Sequence, residues 1–385
     1  MINTHSLSDS TKEWFIAILL FVMTSPFFLW FFPFKTIAVF IFYILSLRYS
    51  ASIQLKYRFG FLLLTFFYML VAIRYGFQLS LLYTMAIPIV FVIDKELLCK
   101  GFANFIKLFA IFISISLFIY LLVAILQIYL PHSKIAPINT LKAEEGFLYD
   151  RYFFLLIDPT ERGFLTRFYG LYDEPGVVGT ISSVILVSNK YAFKKNKFLI
   201  PVFLAGFFSF SLFFYAITII CVLVNLRKGN FAYVLVSFAI IVYVLSFIPG
   251  VDILVYNRFL IEDGVWLGNS RSTGDYDLWF HNFIRTSDAW LGLGPGANLL
   301  YNKGGASYKD LIVNYGLLMF GLYIFSLFVL IIRSKSSFRD VIVALVIIMG
   351  YVFQRPFITD VFMVLSFLYI LFNKDEIMTS QNVTV

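Results

Sequence analysis

The sequence predicts an all-α polytopic integral membrane protein, and three observations carry that prediction. Apolar residues make up 61% of the chain and charged residues only 14%, with a mean hydropathy of +0.87. A soluble domain carries about a quarter charged residues. The 48 Phe among 385 residues exceed what one soluble core can bury, whereas helices in lipid turn apolar side chains outward. Finally, most Lys and Arg fall in short breaks between apolar runs, as expected of cytoplasmic connections. The formal charge of +8 therefore reads as topology rather than nucleic-acid binding, and no RNP, zinc-finger or basic-arm pattern opposes this.

The elements follow in order. The opening MINTHSLSDSTKEW lacks a basic n-region, and no small-residue cleavage site follows the first apolar run, so that run is expected to stay as a helix. A crossing helix needs about 20 residues. Candidate spans are 14–32, 34–48, 59–74, 78–93, 105–129, 175–189, 197–208, 210–226, 230–248, 310–332, 338–353 and 357–373, twelve in all. Pro33 and Lys35 divide the first pair, and Ser209 and Ser211 within FFSFS predict a tight turn in the long run 197–226. Pro26 and Pro88 are expected inside helices, where neighbouring helices can satisfy the freed backbone.

With the N-terminus inside, the even-numbered connections hold the cations. They include Arg48 and Arg58, Lys95 and Lys100, Lys190 to Lys197, Arg227 and Lys228, and Arg333 and Arg339. Both termini are then cytoplasmic, and DEIMTSQNVTV is a short cytoplasmic extension. Two long connections, 130–174 and 249–309, fall outside, and the second carries a short helix over 273–290. Loops of this length tend to be functional. Aromatic stretches such as RYFFLLI and DLWFHNFI predict that both fold onto the bundle.

Ionisable groups are scarce in the apolar runs. Asp360, with Arg355 close by, is the main exception. Ion-coupled transport requires such groups at mid-membrane, so chemistry is expected at the outer face. There the loops hold Arg151, Arg162, Arg167, Arg258, Arg271 and Arg285, against the positive-inside bias. A guanidinium binds phosphate oxygens bidentately and stays charged. Arg151, Arg162 and Arg285 are equally well read as surface partners of Asp150, Asp158, Glu161, Glu262 or Asp263. Arg167, Arg258 and Arg271 are favoured for phosphate.

The stretch RFYGLYDEPGVVGT, 167–180, sets Arg167, Gly170, Asp173 and Glu174 just before an uncharged run. Glu174 ahead of Pro175 is a helix cap by position. A cap alone needs only one acid. In the second loop His281 lies one helical turn from Asp277 and from Arg285, beside aromatics and GLGPG. A lone His is more often structural. With a carboxylate in reach, it also suits a proton acceptor. GLGPG on its own is a weak glycine motif. There is no metal-ligand spacing and no cofactor fingerprint, and Cys99 and Cys221 imply no disulfide framework.

These pieces resemble the bacterial O-antigen polymerase family (Wzy-type), within the O-antigen polymerase and ligase superfamily. RFYGLYDEPGVVG is similar to the family's R-x-x-G…E-P…G segment before a span. His281-Asn282, followed nine residues later by Gly292-Leu293-Gly294, resembles the superfamily's H-[NSQ]-x9-G-x-x-G, with Pro295 in the place of the last glycine. NYGLLMFGLYIF, 314–325, resembles the glycine-containing helix after the second loop. The resemblance implies a GT-C-like, metal-independent glycosyltransferase without cofactor in the bacterial plasma (inner) membrane, its active groups facing the periplasm or exterior. Donor and acceptor would be oligosaccharides on undecaprenyl diphosphate, with a chain-length regulator and a flippase as candidate protein partners.

In that reading Arg167, Arg258 and Arg271 hold the diphosphate. His281 is the first choice for the base and Glu174 the second. Asp173, Gly170, Arg285, Gly292 and Gly294 support them. Tyr172, Trp279 and Trp290 either stack on sugars or serve packing and interface anchoring. A ligase of the same superfamily and a lipid-linked oligosaccharide flippase are the alternatives.

Overall fold

The computed structural model describes residues 9–51, 53, 55–76, 87–137, 146–161, 166–225, 261–262, 265–266, 274–297, 307–334, 338–354 and 360–382. The expected span 230–248 and most of 78–93 lie outside the described residues. The chain is mostly helical and divides into two compact units, residues 1–109 with 274–385 and residues 110–273.

Among the described residues three helical stretches are long and apolar enough to cross a membrane: Tyr57–Tyr75, Lys95–Ile125 and Tyr308–Arg333. Shorter apolar helices surround them in sequence, including Pro175–Ser188, Leu199–Phe208 and Val361–Leu371. The long helices turn apolar side chains outward. Leu62, Phe66, Met69 and Ile73 form one exposed stripe at helical spacing, and Ile111, Ile115 and Phe118 form another. Water would not tolerate such stripes, whereas lipid does. This is a membrane-associated helical protein.

The first unit opens with a hairpin of α1 (Asp9–Met23) and α2 (Phe34–Arg48), joined by a 3-10 turn, Phe27–Leu29. Pro26 does not sit inside a helix as the sequence predicts. Ser25 takes a left-handed φ of 59°, Thr24 Oγ1 donates to the Phe21 carbonyl at 2.7 Å, and Pro26 starts the 3-10 turn. A proline ring at that point blocks continuation of α1. Pro88 likewise lies in a 3-10 segment, Ile87–Val92, and not in an α-helix.

α3 (Leu55–Tyr75) runs antiparallel to α10 (Ser307–Arg333). Gly60 lets Leu330 approach at one end, and the Arg333 guanidinium lies 5.1 Å from the Phe59 ring. Towards the other end Phe67 packs against Tyr323 at 4.9 Å and Tyr315 at 6.2 Å. The first half of α4 (Lys95–Tyr120) stacks Phe102 on Tyr369 of α12 (Val361–Asn382) at 4.3 Å. α11 (Phe338–Gln354) completes this set.

Asp360 has a partner in α2; Arg355 lies outside the described residues. Lys35 Nζ donates to Asp360 Oδ2 at 2.6 Å, and Oδ1 accepts the Met363 N–H at 3.3 Å. The carboxylate thus both pairs with α2 and caps α12. Losing a cap costs about 1 kcal/mol and losing a charge-assisted hydrogen bond about 1.5–3. Lys35 is over a third exposed, so the lower end applies. Asp360→Ala should cost about 2 kcal/mol, read as a lower thermal midpoint of the detergent-purified protein. Lys35→Met should cost less, because the cap remains.

The second unit centres on α5 (Pro175–Ser188), buried along its whole length. α6 (Leu199–Phe208) and α7 (Leu212–Asn225) turn back on each other at Ser209–Phe210–Ser211, the turn expected from FFSFS. A Cβ on Gly179 would lie 2.3 Å from Ser211 Cβ, so this glycine admits the turn against α5. The described part of the first long connection carries strands and one 3-10 turn, Pro159–Glu161. It holds a three-stranded antiparallel sheet of β1 (Ser133–Ile135), β2 (Tyr149–Tyr152) and β3 (Leu155–Ile157). In β2 every residue but Arg151 is buried and β3 is wholly buried, so both faces of these short strands are largely covered. A two-residue pair, β4 (Ile261–Glu262) with β5 (Val265–Trp266), lies in the second connection. The all-α expectation is corrected to this extent.

Candidate functional site

In the first unit the second connection is built on α8 (Gly274–Phe283) and α9 (Asp288–Leu291). The single helix expected over 273–290 is broken at 284–287, where Thr286 Oγ1 donates to the Phe283 carbonyl at 2.7 Å. Tyr276, Phe280 and Phe283 are buried, and the Trp279 ring stacks on Phe283 at 5.3 Å and Tyr276 at 5.7 Å. Trp279 is therefore committed to packing. Trp290 is 57% exposed.

His281 and Arg285 are exposed on α8 and the turn after it, and Arg285 Nη2 lies 2.7 Å from His281 Nε2. A guanidinium can only donate, so Nε2 accepts and the ring proton sits on Nδ1. The sequence reading gives His281 a carboxylate partner in Asp277. The structure instead pairs Asp277 with Lys309 of α10. Lys309 and Asp310 are both buried, and Tyr276 donates to Asp310 Oδ1 at 3.0 Å. Burial, and then the Asp310 carboxylate, push the Tyr276 phenol up, so it remains a donor. The Lys309 ammonium also lies 5.5 Å from the Phe280 ring. Sequence reasoning missed this cluster. Its available signal was Lys309-Asp310 opening an otherwise uncharged run.

Gly292 and Gly294 have a backbone role. α10 is broken at Gly316, whose φ is 84° and ψ 165°. The break deprives the Val313 and Asn314 carbonyls of their i+4 donors. Leu293 and Gly294 supply replacements, with N–H···O distances of 2.8 and 3.0 Å. The two chains cross glycine to glycine. A Cβ on Gly292 would lie 2.5 Å from Gly316 N, and one on Gly316 would lie 2.4 Å from the Leu291 carbonyl carbon. From α3, Tyr75 donates its hydroxyl to the Leu291 carbonyl, and Arg74 Nη2 is 3.5 Å from the Gly292 carbonyl. GLGPG is thus a clasp that replaces the missing turn of α10.

In the second unit, Thr166 to Glu174 forms the approach to α5. The Phe168 N–H donates to the Phe208 carbonyl at 2.9 Å, and Tyr120 donates its hydroxyl to the Thr166 carbonyl. Arg167 between them is half-buried. Gly170 has a φ of 56°, and its carbonyl accepts the Leu156 N–H at 3.0 Å, tying the segment to β3. Tyr149 donates to the Asp173 carbonyl at 2.7 Å. Glu174 occupies the N-cap of α5 with Pro175 next, but its side chain makes no capping hydrogen bond. The expected cap is positional only. Tyr172 is fully buried and stacks on no ligand from there.

Arg258 and Arg271 lie outside the described residues. Among the described residues no three His, Cys, Asp or Glu side chains gather as a metal site. No protein-family model, curated protein or solved structure matches the chain.

Proposed function

We propose that the chain is a polymerase of lipid-linked oligosaccharides, joining repeat units carried on undecaprenyl diphosphate into a surface polysaccharide such as O-antigen or capsule. In this reading it spans the bacterial plasma (inner) membrane about twelve times, with both termini cytoplasmic and both long connections outside. The observation that carries it is the exposed His281–Arg285 pair, held on an element clasped to α10 and tied to the end of α3. A side chain able to accept a proton stands beside a cation able to bind phosphate, which supports this reading.

The chemistry balances without metal. An acceptor sugar hydroxyl attacks the anomeric carbon of the donor glycan, and the bond from that carbon to the lipid diphosphate breaks. The hydroxyl proton passes to His281 Nε2, once Arg285 has given up its hydrogen bond there. Arg285, released, faces the growing charge of the leaving diphosphate. Arg167, Arg258 and Arg271 keep the role of diphosphate ligands, and Glu174 that of second candidate base, on the motif resemblance.

The test is glycan length on lipid carrier in a deletion strain, complemented with wild type, His281→Ala and Arg271→Ala at matched membrane expression. A general base contributes about 10²–10⁴-fold, so His281→Ala should leave single repeat units almost unextended. Long polymer retained on the lipid carrier would identify a ligase, the reading that the His281-Asn282…Gly292-Leu293-Gly294 motif favours. Repeat units held in the cytoplasmic leaflet would identify a flippase.

A further inference from the structure

We infer that the segment Trp290 to Leu293 is a membrane-interface anchor, seated at the boundary of the bilayer opposite Arg58 and Arg333. Two helices of the first unit give the ruler. Seventeen helical steps separate Arg58 from Tyr75 on α3, and seventeen separate Gly316 from Arg333 on α10. At a rise of ~1.5 Å per residue each distance is about 26 Å, close to a hydrocarbon thickness of about 30 Å. The arginine ends are level with each other, because Arg333 stacks on Phe59 and Leu330 meets Gly60. Tyr75 and Gly316 therefore lie together near the far boundary.

The clasp is pinned at that level. Tyr75 holds the Leu291 carbonyl, and Leu293 and Gly294 hold the carbonyls of Val313 and Asn314. Yet Trp290, Leu291 and Leu293 turn their side chains out, with exposures of 57%, 42% and 37%. A Trp with apolar neighbours at this depth matches the aromatic belt, where an amphipathic ring rests among headgroups above the acyl chains. On α3 the exposed apolar stripe Leu62, Phe66, Met69 and Ile73 passes mid-membrane at Phe66 and leads towards the same level. The occupant of this face is the lipid headgroup and acyl boundary. The inference rests on the membrane helices and not on the proposed chemistry.

The experiment places a nitroxide label on the full chain in phosphatidylcholine–phosphatidylglycerol vesicles, after Cys99→Ala and Cys221→Ala. Trp290→Cys and Leu293→Cys are compared with Phe66→Cys, midway between Arg58 and Tyr75, as the mid-membrane reference. Collision with oxygen against a water-soluble nickel chelate gives depth. Labels at 290 and 293 should show an oxygen-to-nickel ratio severalfold above that of a water-exposed label and severalfold below that at 66. A fully aqueous ratio at 290 and 293, with 66 still in hydrocarbon, would overturn the anchor. Shielding from both reagents would also overturn it, because protein, such as a second copy of the chain, would then cover the face. Activity is not read, so failure of the polymerase reading leaves this test intact.

Discussion

Gly316→Ala should destabilise the protein by about 4 kcal/mol or more. A Cβ at a left-handed φ costs about 1–2 kcal/mol. Forced overpacking typically adds about 1–3. Here the obstacle is backbone: the added atom would sit 2.5 Å from the Trp290 carbonyl oxygen and 2.6 Å from Gly292 N, which no rotamer change relieves. Moving the strands apart then weakens the two hydrogen bonds from Leu293 and Gly294, at about 1 kcal/mol each. Gly292→Ala should match it, since its Cβ meets the same crossing from the other side. Gly296→Ala is the control. Its φ is +80° but nothing lies within 4 Å, so only the strain of about 1 kcal/mol applies. Thermal midpoints of the three variants in one detergent give the comparison. Equal shifts at 296 and 316 would refute the glycine crossing.

Lys309→Met should cost about 3 kcal/mol. Removing one partner of a buried ion pair typically costs about 3–5, because the other charge is stranded. Asp277 retains some solvent access, at 36% side-chain exposure, which puts the loss at the lower end. Asp310 sits next in sequence, buried and bonded to Tyr276. Adding Asp277→Leu should recover much of the loss, as replacing both partners is often close to neutral. A double-mutant cycle should give a coupling of about 2 kcal/mol. Strict additivity would mean that Lys309 and Asp277 do not pair.

How far these features were legible in the sequence depends on the range of the forces involved. The apolar helices follow from local composition, and the turn at Ser209 to Ser211 was readable because one run was too long for one span. Pro26 and Pro88 were misread because a membrane neighbour can rescue a proline inside a helix, yet here the chain turns at both. His281 was given Asp277 because spacing on one helix sees only neighbours three or four residues away. Lys309 is 32 residues further on and outcompetes it. The clasp shows the same limit. Gly292 and Gly294 belong to a glycine motif and Gly316 falls in NYGLLMFGLYIF, but no spacing says that one glycine loop replaces the hydrogen bonds another glycine breaks. The strands of the first connection are three or four residues long, too short for a period-2 pattern to declare itself.

The most direct measurement is reconstitution of the purified chain alone in vesicles with undecaprenyl-diphosphate-linked repeat units, in the presence of a metal chelator. The polymerase reading predicts a ladder of lengthening lipid-linked glycans, with one undecaprenyl diphosphate released for every unit added. It also predicts that His281→Ala abolishes both together. Transbilayer movement of intact repeat units, with no diphosphate released and no ladder formed, would contradict it.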